Sequence, residues 1–157
     1  MASVISHGIL GIAVSTLFYK NNSKKFMTVC ALSAALPDAD AVGFWLGIPY
    51  AHMFGHRGIT HSILFAAVWG ILVAFLWERK KNHTILYRIW LGLIITLCTV
   101  SHPVLDAMTT GGLGVAFYSP FDNERIFFDK RPIVVSPIGV KQFFSSWGLR
   151  VIKSEML

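Results

Sequence analysis

Imidazoles and carboxylates that share a metal ion must be grouped in space, and this chain groups them in sequence. Four of its six histidines and three of its eight acidic residues fall in four short clusters. These are Ser6-His7, Leu36-Pro37-Asp38-Ala39-Asp40, His56-Arg57-Gly58-Ile59-Thr60-His61-Ser62 and Ser101-His102-Pro103-Val104-Leu105-Asp106. All four lie in or beside apolar stretches. An ionisable group at membrane depth costs several kcal/mol by order of magnitude unless it is paired or ligated. A shared metal site is therefore expected. His102 and Asp106 are four apart, which on a helix puts both on one face. Asp38 and Asp40 are two apart and would diverge on a regular helix, but Pro37 predicts a break that lets both reach one site. His56 and His61 are five apart, so His61 is the expected ligand, with His56 and Arg57 nearer solvent.

The surrounding chain reads as a membrane protein. Over 157 residues, apolar types make up 54% and charged types 14%, with mean hydropathy +0.58. Soluble domains carry about 25% charge, and a soluble chain this apolar could not cover its own surface. The net charge of +6 does not point to nucleic acid, because its residues lie in short runs between apolar segments. Lys20, Lys24 and Lys25 follow the first segment, and Glu78-Arg79-Lys80-Lys81 with Arg88 follows the third, as the positive-inside rule expects of cytoplasmic loops. The N-terminal segment has no basic region ahead of it and contains His7, so it is read as a retained helix and not a cleaved signal. Cys30 and Cys98, without CxxC spacing, are read as small buried hydrophobes. His52 and His83 are read as loop residues.

The apolar runs predict an all-α integral membrane bundle of about four helices. Their expected limits are Val4 to Phe18, Phe26 to Leu46, Ile59 to Trp77 and Ile85 to Val100, the last continuing past Pro103 after a kink or restart. One membrane domain covers 1–157, with the bundle and site in 1–106 and a loop and interfacial helix in 107–157. With the basic loops inside, the first helix runs inward, the second outward, and the third and fourth begin and end outside. All four clusters then converge on one end. The tail reads as an irregular loop or short hairpin to Lys130, then an amphipathic helix from Val140 to Ile152 with Phe143, Phe144, Trp147 and Val151 on its apolar side. Its basic residues sit on the site's side against the positive-inside rule, so an inverted bundle with a cytoplasmic site stays open. Trp45, Trp77 and Trp90 fall near helix ends, as an interfacial belt would.

Taken in order, the clusters resemble the LexA-binding, inner-membrane-associated family described as metal-dependent hydrolases, over most of the chain and through the Tyr118-Ser119-Pro120-Phe121 turn. The LexA part of that name implies a cytoplasmic partner. More distantly, Pro37-Asp38, then His61, then His102 to Asp106 resemble the ligand order of zinc-dependent phospholipase C and related single-strand nucleases. By that resemblance Asp38, His61, His102 and Asp106 are metal ligands, with His7 added from the first helix. Those enzymes have a second His-x-x-x-Asp or His-x-x-x-Glu helix that this chain lacks, which implies one or two ions and not three.

A nitrogen and oxygen donor set without thiolate suits Zn, Mn or Fe without choosing among them, and the resemblance to the zinc enzymes puts Zn first. It implies metal-activated water acting on a phosphoester, such as a lipid headgroup, at the membrane surface. Asp40 is then a further ligand or general base, Arg57 a bidentate phosphate clamp and His56 a companion at the site. Membrane lipids are the expected partner and no nucleic acid is. Two other classes stay open at this point. One is an ion or proton pathway, although no internal repeat supports it. The other is an interaction protein whose bundle is stapled by a structural metal.

Overall fold

The computed structural model describes residues 1–19, 23–77 and 83–156. The basic loop residues Lys20 and Glu78-Arg79-Lys80-Lys81 lie outside the described residues. Among those described, the chain is helical throughout. It comprises α1 (Val4–Phe18), α2 (Lys24–Ala35), a 3-10 turn (Leu36–Ala41), α3 (Val42–Trp45), a second 3-10 turn (Ile59–His61), α4 (Ile63–Leu76), α5 (Ile85–Ala107), α6 (Val140–Phe143) and α7 (Ser146–Glu155). Two isolated bridges, Thr109 with Ile133 and Val115 with Ile126, are the β-type pairing of the tail. The second of them is the hairpin expected before Lys130.

Four of the helices begin where the sequence supplies a side-chain cap. Ser3, Ser62, Thr84 and Ser145 accept from backbone amides in the first turns of α1, α4, α5 and α7, each satisfying one otherwise orphaned donor. Ser62 is a cap because the chain arrives in a 3-10 turn, so α4 starts at Ile63 and not at Ile59. Pro103 lies inside α5, which continues to Ala107. Pro103 cannot donate to the preceding turn, yet the helix keeps His102 and Asp106 one turn apart.

α5 packs against α1, α2 and α4 and forms the centre of the bundle. The faces that meet are made of small residues at a four-residue period. α1 buries His7, Gly11 and Ser15, and α4 buries Ala66, Gly70 and Ala74. A Cβ at Gly11 would lie 2.7 Å from both Ala34 Cβ and the Cys30 carbonyl, and one at Gly70 would lie 2.2 Å from Thr96 Oγ1. Backbones this close gain dispersion contacts that do not depend on excluding water, which is how helices associate in lipid. The other faces are apolar and open. Val68, Ile71, Leu72 and Phe75 on α4 and Ile89, Leu93 and Leu97 on α5 are all exposed, far more contiguous apolar surface than soluble proteins show.

Two helical stretches are long and apolar enough to cross a bilayer, Lys24–Trp45 with 22 residues and Ile85–Ala107 with 23, against about 20 required. α1 and α4 are shorter. Cys30 and Cys98 are free and buried, inside an apolar core with Phe26, Trp77, Leu91 and Ile95. The expectation of one tail helix from Val140 to Ile152 is corrected. Ser145 caps a new start, so α6 and α7 are separate, α7 runs on to Glu155, and Phe144 between them is exposed while Val151 is buried.

Candidate metal centre

The four sequence clusters meet at one end of the bundle. Asp38, His61, His102 and Asp106 each offer one ligand atom, and these atoms lie within 4.8 Å of one another. His61 Nε2 is 3.0 Å from His102 Nε2, 3.8 Å from Asp38 Oδ1 and 3.7 Å from Asp106 Oδ2. His102 Nε2 is 3.3 Å from Asp38 Oδ1 and 4.0 Å from Asp106 Oδ2. Donors bound tetrahedrally at about 2.0–2.1 Å are separated by about 3.3 Å, and the observed spacings bracket that value.

The backs of the rings are held in the sense that ligation requires. His102 Nδ1 lies 2.7 Å from the Ala34 carbonyl, one of the last carbonyls of α2, which have no helical donor of their own. A carbonyl only accepts, so Nδ1 carries the hydrogen and Nε2 turns its lone pair inward. His61 Nδ1 is 3.2 Å from Asp40 Oδ2, which fixes the same tautomer. Two imidazole nitrogens 3.0 Å apart, beside carboxylates, need either a proton between them or a cation among them. A demand for a cation also appears in the orphaned atoms: both oxygens of buried Asp38 and both ring nitrogens of His7 have no hydrogen-bond partner. The residues present therefore fit a divalent transition ion.

Pro37 ends α2 in the expected way. The 3-10 turn it opens sends Asp38 to the histidine pair and Asp40 to the loop beyond. Asp40 Oδ1 is 2.6 Å from His56 Nδ1, while its Oδ2 accepts from the Arg57 amide at 3.2 Å and from Thr60 Oγ1. Asp40, His56 and His61 make a second group with metal-ligand spacing. His7 is fully buried, so it is not an interfacial residue. Its ring stacks on His102 with centroids 3.6 Å apart, and its Nε2 is 3.4 Å from Asp106 Oδ1.

The expectation that His56 and Arg57 lie nearer solvent is corrected. His56 is 2% exposed and Arg57 not at all. Arg57 takes positive φ, 62°, and turns its guanidinium into the bundle. There Nε is 2.9 Å from Asp106 Oδ2, Nη1 donates to the Gly111 carbonyl at 3.0 Å and Nη2 to Thr109 Oγ1 at 2.9 Å. A buried guanidinium needs a carboxylate, and Asp106 is the one within reach.

Two functional neighbours have no local signal in the sequence. Arg125, in the tail, donates to the carbonyls of His56, Tyr50 and His52 and so staples the loop that carries His56. Glu155, at the end of α7, accepts from the Ser3 amide and the hydroxyls of Ser3 and Ser6, tying the tail to the start of α1. A cleft of about 370 Å³ runs past His56, bounded by Tyr50, Gln142 and Trp147. Burial raises the Tyr50 phenol above its ordinary range, so it remains a hydroxyl donor there.

The chain is 36% identical to the inner membrane protein YbcI of Escherichia coli (strain K12), over 100% of this chain and 90% of that protein. No solved structure matches it. With a match to the family over residues 1–156, spanning every helix and every residue of the centre, the chain belongs to the YdjM inner membrane protein family.

Proposed function

We propose that this inner-membrane protein is a metal-dependent hydrolase whose substrate is a phosphoester, such as a lipid headgroup, and that all four bundle helices are embedded with the site at one bilayer surface. The observation that carries the reading is the pair of anchored imidazoles, His61 and His102. Their outer nitrogens face Asp40 and the Ala34 carbonyl, and their inner ones face two carboxylates. One divalent ion fits this group, Zn first, with Mn or Fe also suited to the donors; His7, stacked on His102, is the residue a second would draw on. Bound there, the ion supplies a water acidified toward a pKa of about 7 and a Lewis acid for a phosphoryl oxygen.

The chain's own residues divide the remaining work. Asp40 orients His61 and His56 together. With Nδ1 on Asp40, His56 presents Nε2 as an acceptor on the cleft wall, and its ring centroid is 5.5 Å from that of His61. His56 is thus the group that takes the proton from the attacking water, and Asp40 steadies the imidazolium that results. Arg57, with Nε, Nη1 and Nη2 all engaged, acts through Asp106 as a positioning residue. By sharing an Asp106 oxygen, it would leave Asp106 the weakest of the four donors to an ion held there. A metal that only stapled the bundle would have no use for a His56–Asp40 pair on a cleft.

The test is hydrolysis of bis(4-nitrophenyl) phosphate and a phospholipid panel by detergent-purified protein, with and without Zn or Mn. The expected result is metal-dependent turnover that falls in His56→Gln while the fold and metal content stay. Turnover by no substrate with the metal loaded, or a His56→Gln variant as active as the parent, overturns the reading.

A further inference from the structure

The cleft beside His56 does not end in solvent alone. Its wall, Met1 with the segment 136–139, is also the wall of a second cavity of about 180 Å³ whose remaining lining is Val4, Ile5 and Phe143. The two spaces differ in kind. The first carries Tyr50, His56 and Gln142; the second is apolar apart from Ser136. The second also opens onto surface that is itself apolar. Val4, Ile5 and Ile138 are each just over half exposed, and Ile9 continues the same flank one turn along α1. Ile5 and Ile9 also border a further cavity with Leu105, Ile133, Ile152 and Met156, so the flank of this bundle helix continues into apolar side chains of α5 and the tail.

We propose that the apolar cavity is an acyl-chain subsite, and that the molecule seated across the two spaces is a membrane phospholipid with its phosphoester beside His56 and one fatty chain between α1 and Ile138–Phe143. A soluble phosphoester would gain nothing from the apolar half. A chain entering from the bilayer along Ile9 and Ile5 stays in an apolar environment throughout, so the slot holds it by packing contacts and not by removal from water. Glu155 and the Ser136 amide, which donates to the Met1 carbonyl, fix the start of α1 against the tail, so the slot is a standing feature of the fold. The proposal rests on the hydrolase reading for the orientation of the headgroup, and its test does not need turnover.

The experiment is photolabelling of the full chain in phosphatidylcholine nanodiscs containing a phosphatidic acid with a diazirine at the end of one acyl chain, followed by peptide mapping. The expected result is label concentrated on Val4–Ile5 and Ile138–Phe143 over the lipid-facing α4 residues Val68, Ile71 and Phe75. It should fall to the level of the α4 residues in Ile138→Trp, which fills the slot. Ile138 is half exposed, so this variant should fold, and an unchanged melting temperature checks that it does. Label spread evenly over α1 and α4, or unaffected by Ile138→Trp in a folded protein, overturns the subsite. A labelled slot without hydrolysis of any substrate upholds the subsite and removes the hydrolase reading. Metal-dependent hydrolysis of bis(4-nitrophenyl) phosphate without slot labelling does the reverse.

Discussion

The two ends of the bundle are built from the same helices and solve opposite problems. Toward the start of α2 and α5, α2 and α5 enclose Phe26, Cys30, Leu91, Ile95 and Cys98, an interior as apolar as the lipid outside it. At the other end the same two helices enclose His7, Asp38, His61, His102, Asp106 and Arg57, all buried. The first end is held by close backbone approach at Gly11 and Gly70 and needs nothing further. The second places ionisable groups where water cannot reach them, and leaves the Asp38 carboxylate and the His7 ring nitrogens without a hydrogen-bond partner. A bundle needs only the first kind of interior to persist in a membrane. The second has the donor atoms and spacings of a group that could hold a metal ion.

The sharpest way to separate the ends is Asp106→Ala. It strands Arg57 as a buried unpaired charge and should cost about 3–5 kcal/mol, read as a fall in thermal midpoint or in folded yield, whereas Ile95→Val at the apolar end should cost about 0.5–1.5 kcal/mol. Similar losses at both would mean that the polar end is ordinary core. Stripping the metal should come next. At a free concentration near 100 times its dissociation constant, a bound ion stabilises by about 2.7 kcal/mol, so a chelator should lower the midpoint accordingly, in Cys30→Ala as much as in the parent. Gly70→Leu drives α4 from α5 and should cost about 1–3 kcal/mol without changing the metal bound per folded protein. The smallest effect on the fold is expected for Arg125→Met. The loop from Tyr50 to His56 loses its staple, and turnover should fall about tenfold while the metal stays.

The comparison also separates what the chain discloses from what it conceals. Helix positions followed from apolar runs, and the convergence of the clusters from the alternating direction of successive helices, because both depend on periodicity and length. Pro37 and the spacing of His102 and Asp106 made the inner ligands legible for the same reason. The burial of Arg57 was not legible. A guanidinium beside a polar loop belongs at the surface until its partner, 49 residues away in sequence by the numbering of Arg57 and Asp106, is known to lie behind it. Arg125 and Glu155 were hidden for the same cause. Each acts on backbone groups far along the chain, and nothing in a local window encodes such a partner. The break at Phe144-Ser145 was missed because an apolar period outweighed a single serine cap.

Elemental analysis of the detergent-purified protein tests the central claim most directly, taken beside Asp38→Asn and the His102→Ala/Asp106→Ala double variant. Asp38 makes no hydrogen bond that asparagine would break, so its loss of metal cannot be laid to misfolding. The account predicts one or two equivalents of transition metal in the parent, a marked loss in Asp38→Asn and none in the double variant. A parent that stays folded and holds no metal after reconstitution with Zn and Mn would contradict it.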